Sequence, residues 1–308
     1  MKPFASIFIV LFALLLSVAP AGCRSERDDH TLMVSIEPQR YLLERIAGPD
    51  WIVSSLLDRS SDPENFDPSM SALKSAAGAR AYFAIGQMAF EDELLARLLD
   101  GNRDMPTFNT SAGIDLIEGH GHDHAHSGHH SGHDHDCDGH AEEADPHVWC
   151  SVRNAKIMAA NMRDAMISLD PDNQALYTAN CDRLLQSLDS LDRAIAERLA
   201  PERGNTFLVW HPSLSYFARD YGLTQLTIGS ENKEMSAASF RDRIDHAREA
   251  ATQVFFVDAA IDSRRAEEIA RQVGARCKVL NLTSADWLRD LDAASRTISS
   301  SPSETPEK

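Results

Sequence analysis

The chain has 308 residues, enough for two ordinary domains that each bury a core of their own. Hydrophobic residues make up 43% of it and charged residues 25%, which is typical of a soluble globular protein. The formal net charge of −17 argues against nucleic-acid binding, which needs a basic face, and it suits a protein whose ligand is a cation.

Residues 1–23 have the layout of a secretory signal peptide. Lys2 gives a positive start, and an apolar run extends from Ile7 to Val18 before a group of small residues. This run is too short to span a bilayer comfortably, and no second apolar stretch approaches transmembrane length. We therefore expect a periplasmic or otherwise extracytoplasmic protein.

Two cleavage positions fit the end of this signal. Residues 20–23 resemble a lipobox, in which Cys23 is lipidated and anchors the protein to the membrane, with residues 24–30 as a polar tether. Residues 19–21 equally fit an Ala-x-Ala site, whose cleavage releases a soluble protein. The tether favours the lipoprotein, and both alternatives stay open.

Short apolar runs alternate with amphipathic stretches in the first half of the chain. The apolar runs predict strands at 31–36, 51–57 and 81–85. The amphipathic stretches predict helices at 39–47, 69–79 and 87–100. Strands that alternate with helices of this length indicate a mainly parallel sheet covered on both faces, here an N-terminal lobe of residues 31–155.

A long helical pattern follows at 171–199, within a linking region of residues 156–203. At about 1.5 Å per residue it forms a rod of roughly 42 Å, long enough to join two lobes rigidly.

The alternation then resumes in a C-terminal lobe of residues 204–298. Its predicted strands are 207–210, 225–228, 254–258 and 278–282, and its predicted helices are 213–221, 237–251 and 264–273. The tail 299–308 is expected to be disordered. The predicted fold class is α/β, with two similar lobes of mainly parallel sheets joined by a long rigid helix.

Histidine is concentrated in one stretch, residues 119–144, which has almost nothing to bury and is expected to be disordered without metal. Neutral imidazole is a favoured ligand of zinc, copper and nickel. A flexible tract offers many coordination sets and no preorganised one, so we expect weak, accessory metal capture. Nine of the thirteen histidines lie there: His120, His122, His124, His126, His129, His130, His133, His135 and His140.

His147 and His211 stand on firmer supports. His147 lies in Asp-Pro-His-Val-Trp, where the histidine-rich loop re-enters the fold. His211 follows the apolar run 207–210, at the C-terminal tip of a predicted parallel strand, where open α/β sheets place their ligands. With one histidine in each lobe, the pair favours a shared metal between the lobes.

These two motifs, together with residues 216–223, resemble the periplasmic zinc- and manganese-binding proteins of ABC importers, the ZnuA/TroA type of the cluster A-I solute-binding family. The resemblance covers about residues 31–298, including the long helix and the loop before the Asp-Pro-His motif. It implies a monomeric binding protein, not an enzyme, that captures Zn²⁺ and delivers it to the membrane permease of an ABC importer.

The resemblance also implies further ligands. That family takes its first ligand from a segment that corresponds to residues 62–68 of this chain, and Glu64 stands where the family has a histidine. Glu is a competent zinc ligand through oxygen. Relatives often place a carboxylate where Ser284 stands, and Asp286, two residues on, is the candidate replacement. Asp258, a water or the second oxygen of Glu64 are the alternatives.

Three other functions stay open as alternatives. Manganese is the alternative cargo, because two histidines with carboxylates also resemble the manganese branch, although Mn²⁺ is the weakest binder in the divalent order. A surface zinc buffer or adhesin would act through the histidine-rich loop alone. A zinc hydrolase is the least favoured, since the sequence has no His-Glu-x-x-His motif and no clear Ser or Cys nucleophile arrangement.

Overall fold

The computed structural model describes residues 28–57, 66–102, 104–118, 144–229, 236–258 and 261–300. The signal region with Cys23, Glu64, the nine loop histidines and most of the tail lie outside the described residues, so the predictions made for them stay predictions. None of the helices within the described ranges is long and apolar enough to cross a membrane.

The first lobe is a four-stranded parallel sheet with the strand order β2-β1-β3-β4. Its strands are β1 (Asp28–Val34), β2 (Ile52–Ser55), β3 (Ala79–Ala84) and β4 (Thr107–Asn109). Its helices are α1 (Glu37–Ala47), α2 (Met70–Ala77) and α3 (Ala89–Gly101). β1 starts inside the stretch that we assigned to the tether. β4 was not predicted, because two of its three residues are exposed and it has no apolar run to show in the sequence.

The second lobe repeats this arrangement with the strand order β6-β5-β7-β8, again all parallel. Its strands are β5 (Thr206–Val209), β6 (Thr224–Thr227), β7 (Val254–Asp258) and β8 (Arg276–Leu280). Its helices are α6 (Ser215–Tyr221), α7 (Ala237–Glu249), α8 (Ser263–Val273) and α9 (Trp287–Ser299). The predicted class of two similar α/β lobes is confirmed.

Two long helices connect the lobes. α4 (Val152–Leu169) begins where the Ser151 side chain accepts a hydrogen bond from the backbone N–H of Asn154. A short 3₁₀ turn leads into α5 (Gln174–Leu199), whose 26 residues span about 39 Å. The sequence predicted α5 as the rod but did not separate α4 from the linking region.

The rod α5 packs against both lobes. Asn180 donates a 2.9 Å hydrogen bond to the carbonyl oxygen of Ile46 at the end of α1. Near the other end of α5, Arg198 forms a 2.8 Å ion pair with Asp292 of α9. One continuous apolar core contains residues of the first lobe, of α4 and α5, and of the second lobe, such as Trp287. Because the core is shared, the two lobes are held in a fixed relation by packing.

A buried carboxylate stabilises the loop after β3. Glu91 of α3 is 1% exposed and accepts hydrogen bonds from the backbone N–H groups of Ile85 (2.7 Å) and Gly86 (2.6 Å) and from the hydroxyl of Ser35. Burial raises the pKa of Glu91, and these hydrogen bonds only partly oppose the effect. The folded protein therefore holds the Glu91 proton more tightly than the unfolded chain does.

The Glu91→Gln variant should reveal this linkage. A raised folded-state pKa stabilises the fold fully at low pH, and that contribution is lost as the pH rises from the ordinary glutamate value through the raised one. The free energy of unfolding of the parent chain, minus that of Glu91→Gln, should therefore fall between about pH 4 and neutral pH. Urea denaturation at a series of pH values measures it.

Glu93→Gln is the matched control, because Glu93 lies on the same helix with its side chain 73% exposed. Its exposed ion pair with Arg97 contributes little to stability, so the fall expected for Glu91→Gln should be absent from this control. Equal slopes for the two variants would contradict a buried, proton-binding Glu91.

Candidate metal centre

His147 is held in a rigid segment between the described Ala144 and α4. The imidazole is 4% exposed, and its ring centroid lies 5.2 Å from that of Trp149. The residues after it, Val148, Trp149 and Cys150, are all buried, so the backbone is anchored in the core. Backbone hydrogen bonds from Val148 to Pro146 (2.8 Å) and from Cys150 to His147 (2.9 Å) tighten the turn. The sequence motif thus forms a fixed support for one imidazole.

Asp145 orients this imidazole. Its Oδ1 atom accepts hydrogen bonds from the backbone N–H and from Nδ1 of His147, both at 2.9 Å. Burial by itself raises the pKa of Asp145, but the hydrogen bonds and the charge interaction with His147 outweigh it, so the pKa lies below its usual value. With its proton on Nδ1, His147 directs the lone pair of Nε2 outward.

We did not predict this supporting role of Asp145 from the sequence. The signal was present as an aspartate two residues before a histidine across a proline, a spacing that lets a carboxylate reach back to Nδ1. Carboxylates that hold a metal-binding histidine in this way are a common feature of metal sites.

His211 comes from the second lobe. It lies two residues after β5, whose position between β6 and β7 makes it a central strand. Trp210 continues the strand pairing by donating a 2.9 Å hydrogen bond to the carbonyl oxygen of Phe256. The Ser213 N–H donates to the carbonyl oxygen of His211 at 2.7 Å and turns the chain toward α6. The histidine therefore projects from the carboxyl edge of the sheet, the usual ligand edge of parallel α/β sheets.

The two histidines meet at their Nε2 atoms, which are 3.0 Å apart. Their ring centroids are 4.8 Å apart, and the rings are inclined at 71°. Tetrahedral zinc, with Zn–N bonds of about 2.0–2.1 Å, places two nitrogen ligands roughly 3.3 Å apart. A metal ion could thus replace the proton between the two Nε2 atoms with a movement of a few tenths of an ångström.

The structure does not bring Asp286 to this pair. Its side chain is 70% exposed and lies 3.6 Å from the guanidinium of Arg289. The next residue, Trp287, is fully buried, so the chain turns Asp286 toward solvent at the start of α9. Across the described ranges, no three His, Cys, Asp or Glu side chains form a cluster that could hold a metal ion. Glu64 lies outside those ranges.

Asp258 is the carboxylate that the second sheet places near this region. It ends β7, the strand beside β5, and is half-buried. The pKa of the Cys150 thiol is raised by burial and, in addition, by the charges of Asp145 and Asp258. Asp258 therefore lies within electrostatic range of a residue three positions after His147.

Comparison of this chain with known protein families gives a match over most of its length. The family model described as "ZnuA: Zinc-uptake complex component A periplasmic" matches residues 32–298, most of the chain. The chain belongs to the ZnuA family. Proteins of the ZnuA family are substrate-binding components rather than enzymes.

Individual relatives agree with the ZnuA family assignment. The zinc-binding lipoprotein AdcA of Streptococcus pneumoniae is 25% identical over 312 residues, which cover 97% of this chain and 59% of the relative. The chain therefore spans about three-fifths of the length of that relative. The high-affinity zinc uptake system protein ZnuA of Bacillus subtilis is 25% identical over 288 residues, covering 91% of this chain and 88% of the relative.

A solved structure has the same fold over nearly the whole chain. The crystal structure of a zinc-bound ZnuA deletion mutant is 33% identical, with a TM-score of 0.76, and the alignment covers 91% of this chain and 100% of that one. The ZnuA fold therefore includes both lobes and the helices between them.

The Asp145→Asn variant tests the support of His147. The amide that replaces the carboxylate cannot provide a charged acceptor for Nδ1–H, so the imidazole should be less firmly oriented and a weaker donor to the metal. Loss of such a partner typically weakens metal binding by about 10- to 100-fold. Competition titration with Zn²⁺ at pH 7.5 measures the change in dissociation constant.

Asp115→Asn is the control for this change in charge, because the Asp115 side chain is exposed. It should bind Zn²⁺ as the parent chain does. An Asp145→Asn protein with an unchanged dissociation constant would show that His147 needs no support from Asp145.

Proposed function

We propose that this protein captures Zn²⁺ outside the cytoplasm and delivers it to the permease of an ABC importer. The observation that carries the proposal is the pair of imidazole Nε2 atoms, one from each lobe, that meet at 3.0 Å. Membership of the ZnuA family and the names of the zinc-binding relatives support it. In this role the metal is cargo, and the chain has no reaction to catalyse.

In this proposal each histidine has a distinct support. His147 is fixed by Asp145, and His211 is fixed by the backbone at the tip of a central strand. Glu64 supplies the first-lobe carboxylate and offsets part of the cation's charge. Two imidazoles with one carboxylate favour zinc over magnesium or calcium, which prefer oxygen ligands alone. Water or Asp258 completes the coordination in place of Asp286.

Zinc is favoured over manganese in this site for the same reason. Mn²⁺ stands lowest in the divalent affinity order, and imidazole nitrogen raises the preference for later metals. The histidine-rich loop shares this preference, because its donors are mostly imidazole. Manganese binding is therefore the weaker of the two activities that we propose for the pair.

The histidine-rich loop acts as an accessory collector beside the site. The residues at its two ends are paired, with a bridge between Glu118 and Ala144 and a 2.8 Å hydrogen bond from the N–H of Asp145 to the carbonyl oxygen of Ile117. Its C-terminal end therefore leads into Asp145, two residues from His147. Metal held by the loop histidines is delivered near the site without a long path through solvent.

Release from the site depends on small local movements. The continuous core and the rod α5 oppose a wide opening of the lobes. The same proposal includes a partner permease, attachment to the membrane through a lipidated Cys23, and a monomeric state.

Deletion of residues 119–143 separates this function from that of a surface zinc buffer. The deleted protein should keep one tight Zn²⁺ site, and His211→Ala in the same background should remove it. Isothermal titration in the presence of a competing chelator measures stoichiometry and affinity.

His246→Ala is the control for loss of an imidazole, because His246 is exposed on α7. It should leave the tight site intact. If the deleted protein loses all zinc binding, the buffer function replaces transport, because the loop is then the whole binding site.

The pair Glu64→Gln and Asp286→Asn tests the carboxylate ligand. Glu64→Gln should weaken Zn²⁺ binding by at least about 10-fold, since it removes a charged first-sphere donor. Asp286→Asn makes the same change of charge at an exposed carboxylate and should leave the dissociation constant unchanged. The reverse order of effects would assign the ligand to Asp286 instead.

A further inference from the structure

Tyr216 connects the second lobe to the segment that carries His147. The side chain is fully buried in α6, and its hydroxyl donates a 2.7 Å hydrogen bond to the carbonyl oxygen of Asp145. The same hydroxyl accepts a 3.3 Å hydrogen bond from the backbone N–H of Ile117. Ile117 and Asp145 are themselves paired by a backbone hydrogen bond. The Tyr216 hydroxyl therefore binds both chain segments that border the histidine-rich loop.

Both histidines are connected to α6 through short paths. His211 precedes the helix by four residues on the same chain. His147 is reached from Tyr216 through the backbone of Asp145, whose carboxylate holds Nδ1 of His147. A displacement of Asp145 relative to α6 therefore changes the distance between the two Nε2 atoms.

The Tyr216 hydroxyl is protonated at neutral pH, which allows it to hold Asp145 in place. Burial raises the pKa of Tyr216 to about 12, so the hydroxyl keeps its proton at neutral pH and remains a donor to Asp145. Arg219, one turn further along α6, stacks 5.0 Å from the centroid of the Tyr216 ring and donates a 2.6 Å hydrogen bond to the carbonyl oxygen of Asp115. Two contacts from α6 thus fix the same part of the first lobe.

We infer that Tyr216 is a positioning residue for the metal site: its hydroxyl sets the placement of His147 relative to His211. The inference rests on the proposed function, because it assumes that these two histidines bind the metal. It assigns to a buried hydroxyl a contribution to affinity and to coordination geometry without direct contact with the ion.

The experiment compares Tyr216→Phe with Tyr221→Phe. Tyr221 lies on the same helix, is 2% exposed and donates a 3.0 Å hydrogen bond to Asp192 of α5, away from Asp145. Tyr216→Phe removes two hydrogen bonds between uncharged groups, the one to Asp145 and the one from Ile117. Tyr221→Phe removes one hydrogen bond to a carboxylate, which is stronger than a bond between uncharged groups. The two variants should therefore lose similar stability, measured by thermal unfolding of the metal-free protein.

Metal binding should separate the two variants. Removing a partner bound directly to a ligand weakens metal binding by about 10- to 100-fold, and Tyr216 is one residue further away, so Tyr216→Phe should raise the Zn²⁺ dissociation constant by about 3- to 10-fold. The visible absorption bands of the Co²⁺-loaded protein should also shift, because they report the ligand geometry. Tyr221→Phe should leave both unchanged.

Two results distinguish the possible failures. If Tyr216→Phe matches the parent chain, or if Tyr221→Phe changes zinc affinity and the Co²⁺ spectrum equally, the positioning role is overturned while the metal site stands. If His147→Ala leaves tight zinc binding intact in the loop-deleted protein, the proposed site itself is wrong. All measurements are made below the unfolding transition of each metal-free variant, so that loss of folding does not imitate loss of affinity.

Discussion

The hydrogen bond between Asp145 and Nδ1 of His147 is the interaction on which the rest of the site depends. It selects the tautomer that leaves Nε2 available, and it fixes the ring in the plane where it meets His211 at 3.0 Å. Both partners are almost fully buried, so the bond works in a medium of low dielectric where it is stronger than in water. Its acceptor is anchored in turn by the Tyr216 hydroxyl, which carries the constraint into the second lobe.

The site also depends on the contacts between the lobes. The indole N–H of Trp149 donates a 2.9 Å hydrogen bond to the carbonyl oxygen of Leu282, and the hydroxyl of Ser151 donates to the carboxylate of Asp220. Both bonds are made by residues that closely follow His147, beside the apolar core shared by the two halves. These contacts therefore hold His147 and His211 in a fixed relation although the two residues come from separate lobes.

Sequence patterns predicted the fold class and singled out His147 and His211 as a pair, because each of these features leaves a local signal. Alternating apolar runs and helical periods fix the order of elements, and a histidine at the tip of the run before Pro212 marks the ligand edge of a sheet. β4 has no apolar run, so no sequence pattern indicated it. α4 does have a start signal, the N-cap Ser151, which the prediction from the sequence missed. The placement of Asp286 could not be predicted, because it depends on the burial of the neighbouring Trp287. The role of Tyr216 depends on a contact between residues 71 positions apart, which no local pattern records.

The shared core has a consequence for the thermodynamics of capture. In a protein whose binding-competent form is a minor population, the apparent affinity is reduced by the fraction of molecules in that form. Here the lobes are joined by packing rather than by a free hinge, and the two imidazoles already face each other. Little of the intrinsic affinity is then lost to conformational selection. In the described part of the chain the lobes are already packed together, so selectivity among cations depends chiefly on the atoms that bind the ion.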